Sequence, residues 1–183
     1  MLTAFFLMVT MNIVLVGYRC SGKTTVGKSI AGKTERIFLD TDGMIEDKAD
    51  CSIEEIISRD GWSRFRNMER GLIRELSSKD NLVIATGGGV VMDEDNMRNL
   101  KRSGFIVWLK GSPSVLRDRM EKDRLSGFQR PSLTGQDPLR EIERVLEQRK
   151  PYYQRAGDLS IDTDLLEAGE VADLIIREFN ERA

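Results

Sequence analysis

The residues with the clearest chemical meaning form a glycine-rich loop near the start of the chain. Gly17–Thr24 reads Gly-Tyr-Arg-Cys-Ser-Gly-Lys-Thr, which matches the phosphate-binding pattern G-x-x-x-x-G-K-[ST]. Gly17 and Gly22 allow a tight turn that brings backbone N–H groups close to phosphate oxygens. Lys23 would neutralise the β- and γ-phosphates of a nucleotide, and the Thr24 hydroxyl would ligate Mg²⁺. The loop therefore predicts a nucleoside triphosphate site.

The sequence on either side of this loop supports that interpretation. A short apolar run, Asn12–Val16, reads as a buried strand that leads into the loop, and a helical pattern, Lys23–Lys33, follows it. The N-terminus of that helix would direct its positive dipole end at the same phosphates. A glycine-rich turn without function is the alternative, and the order strand, loop, helix argues against it.

Two carboxylates follow the second predicted strand. Asp40 and Asp42 stand two residues apart just after Ile37–Leu39, and side chains at that spacing on an extended chain point the same way. Phosphoryl transfer needs a carboxylate near Mg²⁺ and another that orients or deprotonates the attacking hydroxyl. We assign Asp40 to the water shell of the metal and Asp42 to the acceptor hydroxyl. The alternative is that Asp42 only caps the next helix.

Two arginines are predicted to lie on the core-facing sides of helices. Arg66 shares a face with Trp62 and Glu69, and Arg149 continues the apolar stripe of the helix Pro138–Tyr153. A guanidinium in such a position is costly unless it is paired, and two of them converging on a carboxylate would fix its orientation. We interpret both as ligands of an anionic acceptor. An i, i+3 ion pair with Glu69 is the alternative for Arg66.

Three consecutive glycines, Gly87, Gly88 and Gly89, follow the third predicted strand. Glycine at a strand end allows a ligand to approach the backbone closely. We predict that a backbone N–H of this turn bonds the carboxylate or hydroxyl of the acceptor. A plain flexible turn is the alternative interpretation.

Residues 121–136 read as a basic and flexible lid. The segment is polar, is interrupted by glycine and proline, and contains Arg124 and Arg130. A kinase must exclude water, which competes with the acceptor for the γ-phosphoryl group, and an arginine carried by the lid would stabilise the charge that develops there. A solvated surface loop is the alternative.

Composition limits the chemistry available to the chain. Its 183 residues are 40% hydrophobic and 32% charged, with a net charge of −2, which fits one ordinary domain and indicates no attraction to nucleic acid or membranes. The chain has no histidine, so catalytic triads and most zinc sites are excluded. Cys20 and Cys51 form no metal-type pair and fit a reducing cytoplasm.

The N-terminal residues are apolar but do not read as a secretion signal. Met1–Val16 has no basic start and no small-residue cleavage site, and its second half is needed as a strand. We expect residues 1–11 to be a disordered or over-extended start and residues 12–183 to form a single domain. A membrane anchor is the alternative, for which the stretch is short.

Short apolar runs alternate with longer helical patterns along the chain. The predicted strands are Asn12–Val16, Arg36–Leu39, Leu82–Thr86, Phe105–Leu109 and Asp158–Ile161. The predicted helices are Lys23–Lys33, one capped by Ser52 and Glu55, Trp62–Ser77, Glu94–Ser103, Pro113–Lys122, Pro138–Tyr153 and Gly169–Arg182. This alternation predicts an α/β fold, in which helices cover both faces of a parallel sheet. Such sheets bind ligands beyond the carboxyl ends of their strands, where the motifs above fall.

In this order and spacing the motifs resemble those of the bacterial-type shikimate kinase family. The matching segments are Gly17–Thr24, Asp40–Asp42, Phe65-Arg66-x-x-Glu69, Gly87–Gly89, Arg130-Pro131-x-Leu133, and Arg149 followed by Pro151-Tyr152. The resemblance implies a three-layer αβα P-loop kinase with a five-stranded parallel sheet, a substrate-binding region and a lid. It also implies transfer of the γ-phosphoryl group of ATP to the 3-hydroxyl of shikimate, a step of chorismate and aromatic amino acid biosynthesis.

The resemblance further implies a role for each candidate residue. The ATP-binding set would be Cys20, Ser21, Gly22, Lys23, Thr24, Thr25 and Arg130. Mg²⁺ would lie at Thr24 and Asp40. The shikimate-binding set would be Asp42, Arg66, Gly87, Gly88, Gly89 and Arg149, with the two arginines on the carboxylate. Catalysis would depend on Asp42 as the base for the 3-hydroxyl, together with Lys23 and Arg130. The expected enzyme is a cytoplasmic monomer with ATP and shikimate as its partners.

Some residues depart from the family pattern, and other functions stay open. Cys20 stands where glycine is frequent, and Ser132 replaces a usual leucine, which concerns lid kinetics and adenine contacts more than the reaction. A gluconate kinase would use the arginines equally well, whereas a nucleoside monophosphate acceptor would need an apolar base pocket. A module that binds ATP without turnover is a further alternative, although Lys23, Thr24 and Asp42 are all present.

Overall fold

The structure is a computed structural model that describes residues 11–125 and 138–182. Its strands are β1 (Asn12–Val16), β2 (Ile37–Asp40), β3 (Leu82–Ala85), β4 (Gly104–Lys110) and β5 (Leu159–Asp162). Its helices are α1 (Lys23–Thr34), α2 (Thr41–Ala49), α3 (Ile53–Leu76), α4 (Glu94–Ser103), α5 (Pro113–Leu125), α6 (Pro138–Ala156) and α7 (Ala168–Arg182), with one turn of 3₁₀-helix at Val90–Met92.

All five strands pair in parallel, in the order β2-β3-β1-β4-β5. At the centre, Val14 of β1 is in register with Ile84 of β3 on one side and Ile106 of β4 on the other. Every residue of β1 and β3 is buried, because these strands are covered on both faces, whereas the edge strands β2 and β5 are more exposed. The predicted five-stranded parallel sheet is confirmed.

Helices pack on both faces of the sheet, and β1 contributes to both layers. Val14 and Val16 point to the face covered by α2, α3, α4 and α6. Ile13 and Leu15 point to the opposite face, which α1 and α7 cover. This alternation follows from the period of two in an extended strand. The predicted three-layer arrangement is therefore confirmed as well.

Helix α3 joins two segments that the sequence predicts separately. Ser52 caps its first turn through a reciprocal pair of bonds with Glu55, which confirms the predicted capping box. Gly61 then adopts φ 81° and ψ 168°, so the helix is kinked there. A side chain at this backbone conformation would be strained, which explains why glycine occupies the kink. The segment beyond the kink carries Arg66.

No helix within residues 11–125 and 138–182 is long and apolar enough to cross a membrane. The expected disordered or over-extended start falls, except for Met11, on residues outside this described part of the chain. That expectation stays a prediction.

Candidate active site

The phosphate loop connects the central strand β1 to α1, as predicted. Its turn depends on positive φ angles at Gly17 (151°), Cys20 (61°) and Gly22 (92°). A Cβ on Gly17 would lie 2.5 Å from the Leu109 carbonyl oxygen and 2.7 Å from Ser21 Oγ, so a larger residue does not fit there. Close packing of the loop against β4 therefore requires glycine at Gly17, and the positive φ angle favours glycine at Gly22.

Polar groups of the loop are arranged to receive an anion. The Lys23 ammonium group donates to the carbonyl oxygens of Gly17 (2.9 Å) and Tyr18 (2.7 Å), across the mouth of the loop. Ser21 Oγ is buried and has no hydrogen-bond partner among the described residues. A buried hydroxyl without a partner is costly, and a phosphate oxygen would satisfy it. The loop thus fits the triphosphate of a nucleotide.

Thr24 and Asp40 meet at the start of α1. The Thr24 hydroxyl donates to Asp40 Oδ2 at 2.8 Å. A hydroxyl and a carboxylate are hard oxygen donors of the kind that Mg²⁺ prefers, so the pair fits the predicted metal site. The described residues contain no group of three or more Cys, Asp or Glu side chains able to hold a metal ion. An ion here would take its other ligands from nucleotide phosphates and water.

The Asp40–Asp42 segment differs from the extended chain that the sequence predicted. Asp40 is the N-cap of α2, and its Oδ1 accepts the backbone N–H of Asp42 at 3.1 Å. The prediction that both acids project from an extended strand is therefore wrong, because the chain turns into a helix at Thr41. The capping role that was the alternative for Asp42 belongs to Asp40 instead. Both carboxylates nevertheless line one cleft.

The three glycines of the turn after β3 each adjoin one predicted site residue. A Cβ on Gly87 would lie 2.6 Å from Asp42 Oδ1, and one on Gly89 would lie 2.5 Å from Arg66 Nη2. The same construction at Gly88 gives 3.4 Å to Arg149 Nη1. The turn therefore requires small residues because the three functional side chains converge on it.

The backbone groups of this turn are partly engaged within the protein. The Gly87 N–H donates to Thr41 Oγ1 at 3.0 Å. The Gly88 carbonyl oxygen accepts from Arg149 Nη1 at 2.9 Å and from the Tyr153 hydroxyl at 2.6 Å. These bonds fix the turn against α2 and α6. The Gly87 N–H is therefore already engaged by Thr41, and what Gly87 offers the site is the space that its missing side chain leaves for Asp42.

Arg66 makes the ion pair with Glu69 that the sequence left as an alternative, and it also faces the cleft. Its Nη1 donates to Glu69 Oε2 at 2.7 Å, and its guanidinium lies over the rings of Trp62 and Phe65. The Glu69 side chain is 1% exposed, whereas that of Arg66 is 27% exposed. The two interpretations are therefore compatible, because one edge of the guanidinium is held by Glu69 and the residue still lines the cleft.

Glu69, which the sequence places on the same core-facing side of the helix as Arg66, is buried. Burial raises its pKa; Arg66 opposes this shift, and the charges of Asp42 and Asp93 add to it. Asn96, which is 1% exposed, donates its side-chain N–H to Glu69 Oε2 at 3.4 Å. Glu69 Oε1 has no hydrogen-bond partner among the described residues. The Glu69 carboxyl therefore binds Arg66 through Oε2, and its Oε1 lies beside Gly87, the glycine that also adjoins Asp42.

Arg149 and Tyr153 project from α6 toward the glycine turn. The pKa of the Tyr153 hydroxyl is raised to about 12 by burial, so it stays protonated and donates to the Gly88 carbonyl oxygen. Its ring stacks on Trp108 of β4, with ring centroids 5.4 Å apart. Tyr153 therefore anchors the helix that carries Arg149.

One cleft of about 1160 Å³ contains the phosphate loop, the two acids, the glycine turn and both arginines. It also contains Arg119 of α5, which the sequence analysis did not single out. Arg119 donates to the carbonyl and hydroxyl oxygens of Thr163 at 2.6 and 3.0 Å. Charged residues occur all around α5, so its sequence gives no signal of which arginine faces the cleft.

Arg130 lies outside the described residues, as do most of the predicted lid and the side chain of Arg124. Residues 121–125 of that segment form the end of α5, which is longer than predicted. The role of Arg130 stays a prediction.

The chain is similar to known proteins in both sequence and structure. The family model described as shikimate kinase matches residues 19–180. A shikimate kinase of Thermodesulfovibrio yellowstonii is 42% identical over 92% of this chain and 94% of its own, and one of Syntrophus aciditrophicus is 38% identical over 93% and 92%. The structure is similar to shikimate kinase from Acinetobacter baumannii in complex with shikimate, with a TM-score of 0.87 and 33% identity over 95% of both chains.

A gluconokinase from Sinorhizobium meliloti has a TM-score of 0.62 at 19% identity, covering 95% of this chain and 94% of its own. At that identity the likeness shows a shared fold alone. The family model spans most of the chain, and the curated relatives named above exceed 30% identity over nearly their whole lengths. The chain therefore belongs to the shikimate kinase family.

Proposed function

We propose that this enzyme transfers the γ-phosphoryl group of ATP to the 3-hydroxyl of shikimate and releases ADP and shikimate 3-phosphate. The observation that carries the proposal is the convergence of Asp42, Arg66 and Arg149 on one glycine turn, inside the cleft that holds the phosphate loop. A carboxylic acid that carries hydroxyl groups matches this site. Its carboxylate would bind the two guanidinium groups, and one of its hydroxyls would face the carboxylate base. Membership of the family supports the choice of shikimate.

On the nucleotide side, the loop binds the phosphates and Lys23 moves from the loop carbonyls to the β- and γ-phosphate oxygens. The supporting set is Cys20, Ser21, Gly22, Thr24 and Thr25, which all line the cleft. Mg²⁺, held at Thr24 and through Asp40, would neutralise charge on the phosphates. Arg130 is proposed to close over ATP from the lid.

On the acceptor side, the two arginines grip the carboxylate of shikimate and set its orientation. Arg66 is held by Glu69 and Arg149 by the Gly88 carbonyl oxygen, so each guanidinium is fixed before the acceptor binds. Asp42 then accepts the proton of the 3-hydroxyl as that oxygen attacks the γ-phosphorus. Most of the catalysis comes from positioning and charge stabilisation, since phosphoryl transfer needs little covalent help.

The proposal includes a cytoplasmic monomer. Cys20 and Cys51 are not joined in a disulfide, which is typical of a reducing compartment. The monomeric state remains a prediction.

The test is ADP release by the purified protein with ATP and Mg²⁺, comparing shikimate, gluconate, AMP and no acceptor. We expect release that depends on shikimate alone. Release with gluconate instead would keep the kinase but overturn the assignment of the arginines to shikimate. ATP binding without release in any mixture would contradict turnover and favour a nucleotide-binding module.

A further inference from the structure

The phosphate loop is joined to α6 by an ion pair between Arg19 and Glu141. The Arg19 side chain is 12% exposed and that of Glu141 is 2% exposed, although 122 residues separate them in the sequence. Breaking a buried pair from one side strands a charge in a poorly solvated place, which is costly. The pair therefore resists separation of the loop from the helix.

Beside this pair, the loop also packs on α6 through Tyr18. The Tyr18 side chain is buried and forms a small apolar cluster with Leu116 of α5 and with Ile142 and Val145 of α6. The guanidinium of Arg19 lies 5.6 Å from the centre of the Tyr18 ring. Consecutive loop residues are thus fixed to the same helix by an apolar and a polar contact.

The same helix holds the acceptor side of the cleft. Arg149 and Tyr153 both donate to the Gly88 carbonyl oxygen. The loop and the glycine turn also lie close together, because a Cβ added to Gly88 would lie 3.4 Å from the Gly17 carbonyl oxygen and 3.6 Å from the Arg19 backbone nitrogen. A shift of the loop at Gly17–Arg19 toward the turn would therefore reach the residue that Arg149 contacts.

A bound nucleotide would act on the same segment of the loop. Lys23 donates here to the carbonyl oxygens of Gly17 and Tyr18, and a phosphate would compete with these carbonyls for its ammonium group. Gly17 and Tyr18 immediately precede Arg19. The segment whose hydrogen bonds a nucleotide would change is therefore the one that α6 contacts.

We propose that Glu141 is a positioning residue which, through Arg19, couples nucleotide binding to acceptor binding. The tether makes the phosphate loop and the Arg149 helix one unit, so the ligand that binds first orders this unit for the second. Each ligand then tightens the other by the same factor, as linkage requires. The inference rests on the proposed function, since it takes a nucleotide at the loop and shikimate at Arg149.

The test is calorimetric binding of ADP with Mg²⁺, in the absence and presence of saturating shikimate. We expect shikimate to tighten ADP binding by a factor of about 5 or more in the wild-type protein. In Glu141→Gln this factor should fall to within about twofold of 1, with a smaller change in ADP affinity when shikimate is absent. Glu147→Gln is the matched control, because Glu147 is exposed on the same helix, and it should keep the wild-type factor.

Glu141→Gln leaves the Arg19 charge in place, so the double variant Arg19→Met/Glu141→Gln guards against a simple folding defect. It removes both charges and should keep a thermal midpoint near that of the wild type. Its coupling factor should match that of Glu141→Gln, because both lack the same tether. Recovery of the wild-type factor in the double variant would overturn the proposal.

The other outcomes separate this inference from the proposed function. A wild-type protein that binds ADP but not shikimate would overturn both. A wild-type protein that binds both ligands without coupling, or a Glu141→Gln variant that keeps the wild-type factor, would overturn the inference alone. A further possibility is that Arg19 leaves Glu141 and binds a phosphate of the nucleotide. In that case the double variant, which lacks Arg19, would bind ADP more weakly than the wild type in the absence of shikimate, whereas Glu141→Gln would not. That result would also contradict the tether.

Discussion

The Thr24 hydroxyl donates a 2.8 Å hydrogen bond to Oδ2 of Asp40 and so joins the start of α1 to the end of β2. The other oxygen of the same carboxylate caps α2 by accepting the Asp42 N–H at 3.1 Å. One side chain therefore orients the proposed metal ligand and begins the helix that carries the proposed base. The two roles can be separated by substitution.

Asp40→Asn should weaken the metal site and leave the helix cap intact. Asparagine caps helices as well as aspartate does but lacks the charge, so we expect half-saturation at a Mg²⁺ concentration about 10- to 100-fold higher. Asp40→Ala should lose the cap too, at about 1 kcal/mol of unfolding free energy. The measurements are a Mg²⁺ titration of ADP release and thermal unfolding. An unchanged titration in both variants would remove Asp40 from the metal site.

Asp42→Asn should lower kcat by about 10²- to 10⁴-fold, which is the usual contribution of a general base. Affinity for ATP should persist, because Asp42 adjoins the glycine turn rather than the phosphate loop. Steady-state kinetics and ATP binding by calorimetry measure the two effects. Asp47→Asn, on the exposed side of the same helix, is the control. Wild-type turnover in Asp42→Asn would contradict the role of base.

Arg149→Lys should raise the KM for shikimate about tenfold or more while the KM for ATP changes little. Lysine keeps the charge but cannot bond the Gly88 carbonyl oxygen and a carboxylate with one rigid planar group. Arg149→Ala should show the larger effect in the same assay. Arg144→Lys, exposed on the same helix, should leave both constants unchanged. An unaltered shikimate KM in Arg149→Ala would disprove the carboxylate clamp.

The parts of this structure that the sequence predicts well are those set by local pattern. β1, the phosphate loop and α1 follow from an apolar run, fixed glycines and a helical period within 23 residues, Asn12–Thr34. The parallel direction of the strands follows from the rule that alternating strands and helices form parallel sheets, whereas their order, β2-β3-β1-β4-β5, was not predicted. The capping box at Ser52 is likewise local, since its two partners stand three residues apart.

The parts that the sequence did not predict depend on contacts between distant residues. Helix α2 has few apolar positions, so nothing in its composition signals that the chain turns at Thr41 rather than continuing beyond Asp40. The hydrogen bond from Asn96 to Glu69 joins residues that stand 27 positions apart. The pairing of Arg19 with Glu141 appears only when α6 folds against the loop. No periodicity in the sequence encodes these pairs.

Glu69 should make stability depend on pH in a direction opposite to that of most carboxylates. Burial raises its pKa in the folded protein above the unfolded value, so the native state binds more protons between those two values. The contribution of Glu69 to the free energy of unfolding is fully present at pH values below the pKa that Glu69 has in the unfolded chain. It is lost as the pH rises through the pKa that Glu69 has in the folded protein. Glu69→Gln removes this titration.

The advantage of the wild type over Glu69→Gln should therefore be larger at about pH 5 than at about pH 8. Urea unfolding of both proteins at the two pH values measures it, and the comparison cancels the other carboxylates. Glu143→Gln, at an exposed position of α6, is the control for the effect of the substitution itself. A gap between the proteins that widens as pH rises would show that the pKa of Glu69 is lowered instead.

Gly87→Ala should impair turnover through Asp42 without disturbing the phosphate loop. The added methyl group would lie 2.6 Å from Asp42 Oδ1 and 3.3 Å from Glu69 Oε1, so the Asp42 carboxylate must move. A displacement of about 1 Å at a reacting group can cost about 100-fold in rate, and we expect a loss of that order in kcat. Affinity for ADP should stay near the wild-type value.

Gly71→Ala is the matched control for this substitution. Gly71 lies within α3 with nothing inside 4 Å of an added Cβ, so alanine should stabilise the protein by about 0.5–1 kcal/mol and leave kcat unchanged. Steady-state kinetics and thermal unfolding of both variants distinguish a displaced carboxylate from a general loss of stability. Full activity in Gly87→Ala would mean that the reaction tolerates a displaced Asp42, because the methyl group and the observed carboxylate cannot occupy the same space.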